Sequence, residues 1–225
     1  VLRRTYEETA EEILSRSPKY VGITATTIAI HNAAKLAQEL KRRNPDIFTI
    51  IGGPHVSSLP EDTLRRFPQF DAGVIGEGDV TIIELLEALT GKRDLKEVNG
   101  IIIRENGGIL QTKPRGLFFA LDNLPLPAWD LLPNLAHYYR PAANCFYQLP
   151  SSGLVTSRGC PGKCMFCDRT ISGDRLRMHS AAYLMKMVKR LHSNYGIRDI
   201  IFHDDNFIVF KKRLYEFCEM LKQEK

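Results

Sequence analysis

The sequence predicts an α/β protein built on a parallel sheet, and three observations lead to this class. Short apolar segments recur about every 26 residues in the first half of the chain. A longer segment with helical periodicity separates each of them from the next. Several of the apolar segments end in turns that contain glycine. This alternation is typical of right-handed β-α-β units, in which helices cover both faces of a parallel sheet.

The first half of the chain is expected to contain three strands and four helices. Residues 5–16 open with two capping boxes, Thr5 with Glu8 and Thr9 with Glu12, and therefore predict a short amphipathic helix. The remaining helices are predicted at residues 31–43, near 60–66 and at 80–89. The strands are predicted at residues 20–25, 47–51 and 72–75.

The second half contains a hairpin, a linker and a renewed alternation of strands and helices. Residues 101–104 and 109–112 flank Asn106-Gly107-Gly108 and predict a β-hairpin. Residues 113–150 hold six of the twelve prolines and predict an ordered linker. Strands at 153–157 and 199–203 and helices at 181–193 and 211–223 follow. We therefore expect a first domain over residues 1–112, a linker over 113–150 and a second domain over 151–225.

Composition and charge exclude several classes of protein. The 225 residues are 44% hydrophobic and 25% charged, which excludes disordered and collagen-like chains. No apolar run is long enough to cross a bilayer and no signal pattern opens the chain, so a cytoplasmic protein is expected. The net charge of +5 is too small to indicate nucleic-acid binding. Because residues 1–150 carry −1 and residues 151–225 carry +6, the basic excess forms either solvated helix faces or a lining around an anionic ligand.

Three cysteines within eight residues are the strongest chemical signal in the chain. Cys160, Cys164 and Cys167 follow the spacing C-x3-C-x2-C on a loop that leaves a predicted strand. Three thiolates can hold three irons of a cubic iron–sulfur cluster and leave the fourth iron open to a substrate group. The alternative is a zinc site completed by His179 or Cys218. Cys145 and Cys218 are otherwise expected to be buried thiols without a role.

Turns at the carboxyl ends of the first three strands form a second candidate site. They are residues 24–27, 52–55 and 76–78, and the carboxyl edge of a parallel sheet is where ligands bind. Their glycines allow the main chain to approach a bulky ligand closely, or they serve only as tight turns.

Residues 157–167, with the aromatic Phe166 before the last cysteine, resemble the motif of radical S-adenosylmethionine (SAM) enzymes. The resemblance implies that Cys160, Cys164 and Cys167 bind a [4Fe-4S] cluster whose open iron is chelated by the amino and carboxylate groups of SAM. Reduction of SAM then gives a 5′-deoxyadenosyl radical, and Phe166 contacts the adenine. Asp204 and Asp205 stand where many members carry Gly-Gly-Glu, which implies that one of them receives the ammonium group of SAM. The alternative is that both acids lie in a solvated turn.

The N-terminal half resembles the cobalamin-binding domain found in one class of these enzymes, through residues 20–27, 50–55, 74–79 and 121–125. Thr24 and Thr26 take the place of a Ser-x-Leu stretch, and Gly52-Gly53 takes the place of a Gly-Gly turn. The resemblance implies cobalamin contacts from those four residues and from His55, Glu77 and Gly78. The expected fold is a Rossmann-like cobalamin-binding domain, incomplete at its N-terminus, followed by the truncated start of a partial (β/α)6 barrel. Residues are thus expected to be missing at both ends.

The resemblance implies an enzyme that uses a [4Fe-4S] cluster, SAM and cobalamin for methyl transfer to an unreactive centre. The implied partners are a small-molecule substrate and an electron donor such as flavodoxin or ferredoxin, with no nucleic acid and no transmembrane segment. One alternative is an enzyme with the same core but no cobalamin, which would catalyse cyclisation, rearrangement or sulfur insertion. Another is a non-catalytic module that binds zinc or cobalamin. No catalytic residue is assigned from the sequence.

Overall fold

The computed structural model describes residues 4–105, 107–139, 141 and 145–224. The chain divides into two compact units. The N-terminal unit holds residues 4–117 together with Thr170–Ser172, and the C-terminal unit holds residues 118–169 and 173–224. Asn106, in the expected hairpin turn, lies outside the described residues. No helix in the described part of the chain is long and apolar enough to span a membrane.

The N-terminal unit is built on a five-stranded sheet with the order β1-β2-β3-β4-β5. Strands β1, β2 and β3 are parallel, and β4 and β5 form an antiparallel hairpin that extends the same sheet. The predicted α/β class is therefore confirmed, with a mixed sheet in place of a purely parallel one. The elements in chain order are α1 (Tyr6–Leu14), β1 (Tyr20–Thr24), α2 (Ile30–Arg43), β2 (Phe48–Gly52), α3 (Pro54–Ser58), α4 (Pro60–Arg66), β3 (Ala72–Val74), α5 (Gly78–Leu89), β4 (Ile101–Glu105) and β5 (Gly108–Gln111).

Helices cover both faces of this sheet because neighbouring strand residues point to opposite sides. Ile51 and Ile102 pack with residues of α2, α3 and α4 in one cluster. Ile50 and Ile101 pack with Leu85 of α5 in another. These layers fix the strand ends, and with them the turns that follow β1, β2 and β3.

The C-terminal unit contains a two-stranded parallel sheet, a short antiparallel pair and two long helices. Its core gathers apolar residues of α7 around Leu154 and Phe217. Trp129 and Leu135 of the proline-rich segment belong to the same core. The elements in chain order are α6 (Leu135–Tyr138), β6 (Ser151–Leu154), β7 (Ser157–Arg158), β8 (Arg177–Met178), α7 (Ala181–Tyr195), β9 (Asp199–Phe202) and α8 (Lys211–Gln223).

One predicted strand, at residues 153–157, is two strands in the structure. Strand β6 pairs with β9, and β7 pairs with β8. Thr156 lies between them, and both its backbone N–H and its hydroxyl donate to the carboxylate of Asp204. At Thr156, these hydrogen bonds to the Asp204 side chain take the place of backbone hydrogen bonds to a neighbouring strand.

The expectation of two buried thiols was wrong, since Cys145 is exposed and Cys218 is half-buried.

Candidate cofactor sites

A cavity of about 360 Å³ lies at the carboxyl ends of β1, β2 and β3. Its walls are mainly main chain and apolar side chains, with Thr24 and Asp79 as the polar side chains, and such a surface suits a large, flat ligand. We call it the glycine hollow, because five of its eleven lining residues are glycines. The lining residues are Gly22, Ile23, Thr24, Ile50, Gly52, Gly53, Val74, Gly76, Gly78, Asp79 and Ile82.

The glycines of the hollow serve two different purposes. At Gly22, a Cβ atom would meet nothing within 4 Å, so packing within the protein does not require a glycine there. Gly22 instead leaves the floor of the hollow bare. At Gly53, where φ is +95°, a Cβ atom would lie 2.6 Å from Thr24 Oγ1 and 2.9 Å from the carbonyl oxygen of Ala25. Gly53 is therefore needed for the turns after β1 and β2 to approach each other.

Four of the seven residues expected to contact cobalamin line this hollow: Thr24, Gly52, Gly53 and Gly78. The other three, Thr26, His55 and Glu77, are not among its lining residues. Thr26 is exposed just before a 3-10 turn at Thr27–Ala29. Glu77 is the N-cap residue of α5 and is half-buried.

His55 is held inside the N-terminal unit, in α3 after the end of β2. Its side chain is buried, with Nδ1 3.2 Å from Thr27 Oγ1 and its ring edge-on to Phe67. Burial lowers the pKa of His55, so the neutral imidazole is favoured. Its backbone N–H donates to the carbonyl oxygen of Ala25 over 3.2 Å and so links the turns after β1 and β2.

The three clustered cysteines lie on a long irregular loop between β7 and β8. Residues 159–176 contain no helix or strand. Cys160 is half-buried, whereas Cys164 and Cys167 are exposed. A Cβ atom on Gly162 would lie 3.3 Å from the sulfur of Cys160 and 3.8 Å from that of Cys164. The absence of a side chain at Gly162 therefore keeps one shared space open beside two sulfurs.

The type of side chain on this loop suits a metal cluster, although the side chains are not arranged around a common metal position. In the part of the chain that the structure describes, no group of three or more His, Cys, Asp or Glu side chains is arranged to hold a metal ion. The donor set is nevertheless three thiols on one loop, and thiolates select iron–sulfur clusters and zinc. The zinc candidate His179 belongs to no such group, and its Nδ1 lies 3.1 Å from Asp122 Oδ1.

Asp204 and Asp205 have different surroundings although they are neighbours in sequence. Asp204 is half-buried, and its Oδ1 accepts hydrogen bonds from Thr156 N at 2.7 Å and from Ser157 Oγ at 2.6 Å. Its Oδ2 accepts from Thr156 Oγ1 at 2.9 Å. Asp205 is exposed. Asp204 therefore links the end of β9 to the start of β7, three residues before Cys160.

Phe166, the residue expected to contact the adenine, is 92% exposed on the cysteine loop.

Arg213 is part of the same hydrogen-bond network and was not predicted from the sequence. It is buried on α8, and burial lowers the pKa of its guanidinium while the charge of Asp204 opposes that shift. Its Nη1 donates to the carbonyl oxygen of Thr156 at 3.2 Å and to Thr156 Oγ1 at 3.1 Å. Its Nη2 donates to the carbonyl oxygen of Phe207 at 3.2 Å. The only sequence signal is a basic residue on the inner face of an amphipathic helix.

A histidine and an aspartate join the proline-rich segment to the start of α7. Asp122 accepts from the backbone N–H of Ser180 at 3.0 Å and lies beside His179, whose ring stacks on Tyr183 at 4.1 Å. Burial lowers the pKa of His179, against the opposing effect of Asp122. Burial raises the pKa of Asp122, but the hydrogen bonds from Ser180 and His179 outweigh it and the pKa is lowered. The contacts of this pair are structural.

Comparisons with known proteins give the relatives of this chain. Residues 2–86 match the family model described as the B12 binding domain. The chain is 39% identical over 221 residues to an uncharacterized methyltransferase of Pyrococcus horikoshii, and the match covers 98% of this chain and 47% of that protein. It is 29% identical over 219 residues to the anaerobic magnesium-protoporphyrin IX monomethyl ester cyclase of Rubrivivax gelatinosus, covering 96% of this chain and 38% of that one.

A solved structure shows the same fold. It is the cobalamin-dependent S-adenosylmethionine radical enzyme OxsB with aqua-cobalamin and S-adenosylmethionine bound. The two match with a TM-score of 0.79 at 23% identity, over 98% of this chain and 31% of that one. The chain thus spans less than half the length of each of these relatives.

Proposed function

We propose that this chain belongs to the radical SAM enzymes that carry a cobalamin-binding domain, and that it forms part of a cobalamin-dependent methyltransferase acting on an unreactive centre of a small molecule. One observation carries the proposal. A single chain holds both a glycine-lined hollow at the ends of three parallel strands and a loop with three closely spaced cysteines. An electron donor such as flavodoxin or ferredoxin is part of the proposal, because reductive cleavage of SAM consumes an electron.

The glycine hollow would hold cobalamin, which supplies a methyl carrier when bound. Gly22, Gly52 and Gly78 bring main chain to the cavity surface, and Ile50 and Val74 supply apolar contact. Asp79 is the one carboxylate in the lining. The structure supports this assignment through the space at Gly22, which no protein atom fills.

Cys160, Cys164 and Cys167 would hold the [4Fe-4S] cluster, which supplies the electron for cleavage of SAM when bound. Phe166 is exposed next to Cys167 and is available to contact the adenine. Asp205 would accept the ammonium group of SAM, because it is the exposed carboxylate of the pair and both oxygens of Asp204 already accept hydrogen bonds.

A second function is favoured by a specific observation, the similarity to a cyclase. The same two sites would then serve a cyclisation, with or without cobalamin. The methyl-transfer proposal is supported by the higher identity to a protein named as a methyltransferase.

The test is made on the full chain, purified without oxygen, reconstituted with iron and sulfide and supplied with hydroxocobalamin. We expect bound cobalamin, and 5′-deoxyadenosine from SAM after reduction with dithionite. Gly22→Leu should lose cobalamin and keep the iron, since it fills the hollow. Gly116→Leu is the matched control, because it also has free space for a side chain but lies outside the hollow.

Each result separates the alternatives. Formation of 5′-deoxyadenosine without cobalamin binding would favour a radical enzyme that does not use cobalamin. Cobalamin binding without iron or 5′-deoxyadenosine would favour a binding module. Equal cobalamin content in Gly22→Leu and the wild type would show that the hollow is not the site.

A further inference from the structure

We propose that Ser57 is a positioning residue that sets the spacing of the turns around the glycine hollow and thereby the affinity for the corrin ligand. The inference rests on the proposed cobalamin site and adds a residue that neither the sequence nor the resemblance indicates. Ser57 lies on α3, outside the lining of the hollow.

The hydroxyl of Ser57 bridges two of the turns that form the hollow. Its Oγ donates to the carbonyl oxygen of Gly53 over 2.9 Å and accepts from the backbone N–H of Gly76 over 3.0 Å. A hydroxyl carries one donor and two acceptor positions, so a single side chain can make both bonds. Gly53 and Gly76 both line the hollow.

This bridge acts beyond the last pairing of β2 with β3. Strands β2 and β3 are paired only at Ile50 with Ala72 and at Ile51 with Gly73. Gly53 and Gly76 lie two and three residues beyond the last pair, where no ladder bond fixes their separation. The two hydrogen bonds of the Ser57 hydroxyl connect these turns where the backbone hydrogen bonds between β2 and β3 have ended.

The other side of the hollow is held by main-chain hydrogen bonds that do not involve Ser57. Ala25 N donates to the carbonyl oxygen of Gly52 over 3.0 Å, and His55 N donates to that of Ala25 over 3.2 Å. The turn after β1 therefore follows the turn after β2 whatever side chain is present at 57. The width of the hollow between the second and third strand ends is the one dimension that depends on Ser57.

Removal of the hydroxyl should loosen one turn more than the other. In Ser57→Ala, the carbonyl of Gly53 still accepts from the backbone N–H of residue 57, which lies 3.2 Å away. The N–H of Gly76 loses the hydroxyl acceptor. Gly76 has a φ of +76° and free space at its Cβ position, so side-chain packing does not hold this turn. Ile75 N still donates to the carbonyl oxygen of Gly100 over 2.8 Å, so the substitution should loosen the turn from Gly76 onward and leave the rest of the N-terminal unit intact.

The experiment measures the dissociation constant of aquacobalamin for the full chain by absorbance titration. Ser57→Ala should weaken binding about tenfold, the effect of one lost hydrogen bond on a preorganised site. Ser57→Thr retains the hydroxyl and should restore the affinity to within about threefold. Ser15→Ala is the matched control, since Ser15 is exposed at the C-cap of α1, donates its hydroxyl to the carbonyl oxygen of Glu12 in its own helix and should leave the affinity unchanged.

Amide hydrogen exchange at Gly76, measured without cobalamin, separates positioning from general stability. Exchange should accelerate locally in Ser57→Ala and return to the wild-type rate in Ser57→Thr. If the wild type binds cobalamin and Ser57→Ala binds it equally well, the inference is wrong while the proposed function stands. If the wild type does not bind cobalamin, the proposed function fails, and with it the ligand role of Ser57. Unchanged exchange at Gly76 would overturn the bridge itself.

Discussion

Replacement of Asp204 by asparagine should destabilise the C-terminal unit far more than the same replacement at Asp205. Asp204 accepts three hydrogen bonds, from Thr156 N, Thr156 Oγ1 and Ser157 Oγ, and its charge faces the buried guanidinium of Arg213. Asp205 is exposed. Asp204→Asn and Asp205→Asn each remove one negative charge at adjacent positions, so a difference between them reports the hydrogen bonds and not the net charge.

The loss of unfolding free energy in Asp204→Asn follows from these three hydrogen bonds. Hydrogen bonds to a charged acceptor contribute about 1.5–3 kcal/mol each, roughly twice the value of neutral ones. In Asp204→Asn, the two bonds to Oδ1 become neutral, and the amide NH2 replaces the oxygen that accepts from Thr156 Oγ1. The hydroxyl of Thr156 then loses the acceptor for its proton, although its oxygen still accepts from Arg213 Nη1 at 3.1 Å. The expected loss is about 3 kcal/mol for Asp204→Asn and under about 0.5 kcal/mol for Asp205→Asn.

The fluorescence of Trp129 during urea unfolding measures this loss. Trp129 is the one tryptophan in the sequence and is buried in the core of the C-terminal unit, so its signal reports on that unit. A loss of about 3 kcal/mol should lower the urea midpoint by roughly 2 M. Equal midpoints for the two variants would refute the assignment of Asp204 as a fastening residue.

Three further predictions concern other parts of the chain. Gly53→Ala should lower the free energy of unfolding of the N-terminal unit by more than about 2 kcal/mol in urea, because its Cβ would meet the backbone of Ala25, whereas Gly22→Ala should change it by less than about 1 kcal/mol. Burial lowers the pKa of His179, so the unfolded chain binds a proton that the folded C-terminal unit does not. Stability by Trp129 fluorescence should therefore fall as the pH decreases below about 6.5, and His179→Gln should flatten that dependence; a dependence that survives the substitution would assign it elsewhere. Asp205→Asn should weaken SAM binding about tenfold in equilibrium dialysis of the reconstituted protein, and unchanged binding would remove Asp205 from the site.

The α/β alternation could be predicted because its signals are local. The capping box from Thr5 to Glu8 forms as expected and opens α1. Apolar segments gave β1, β2 and β3 to within two residues at either end. The antiparallel placement of the hairpin on the same sheet could not be predicted, because strand pairing depends on contacts between β3 and β4 rather than on either sequence.

The candidate sites could be predicted where they depend on residue type and not where they depend on hydrogen bonds distant in sequence. The cysteine spacing and the glycine-containing turns can be identified directly in the amino-acid sequence. The difference between Asp204 and Asp205 is not, since it arises from Thr156, 48 positions earlier in the chain. Ser57 was missed for the same reason: its bond to Gly76 spans 19 residues and leaves no pattern in the sequence.

Electron paramagnetic resonance shows whether the cysteine loop holds an iron–sulfur cluster with one iron open to SAM. The reconstituted protein is reduced with dithionite and measured with and without SAM, alongside Cys164→Ala and the control Cys218→Ala. We expect a reduced [4Fe-4S] signal that changes when SAM is added. The signal should disappear in Cys164→Ala and persist in Cys218→Ala. Stoichiometric zinc with no cluster signal in the wild type would contradict this expectation.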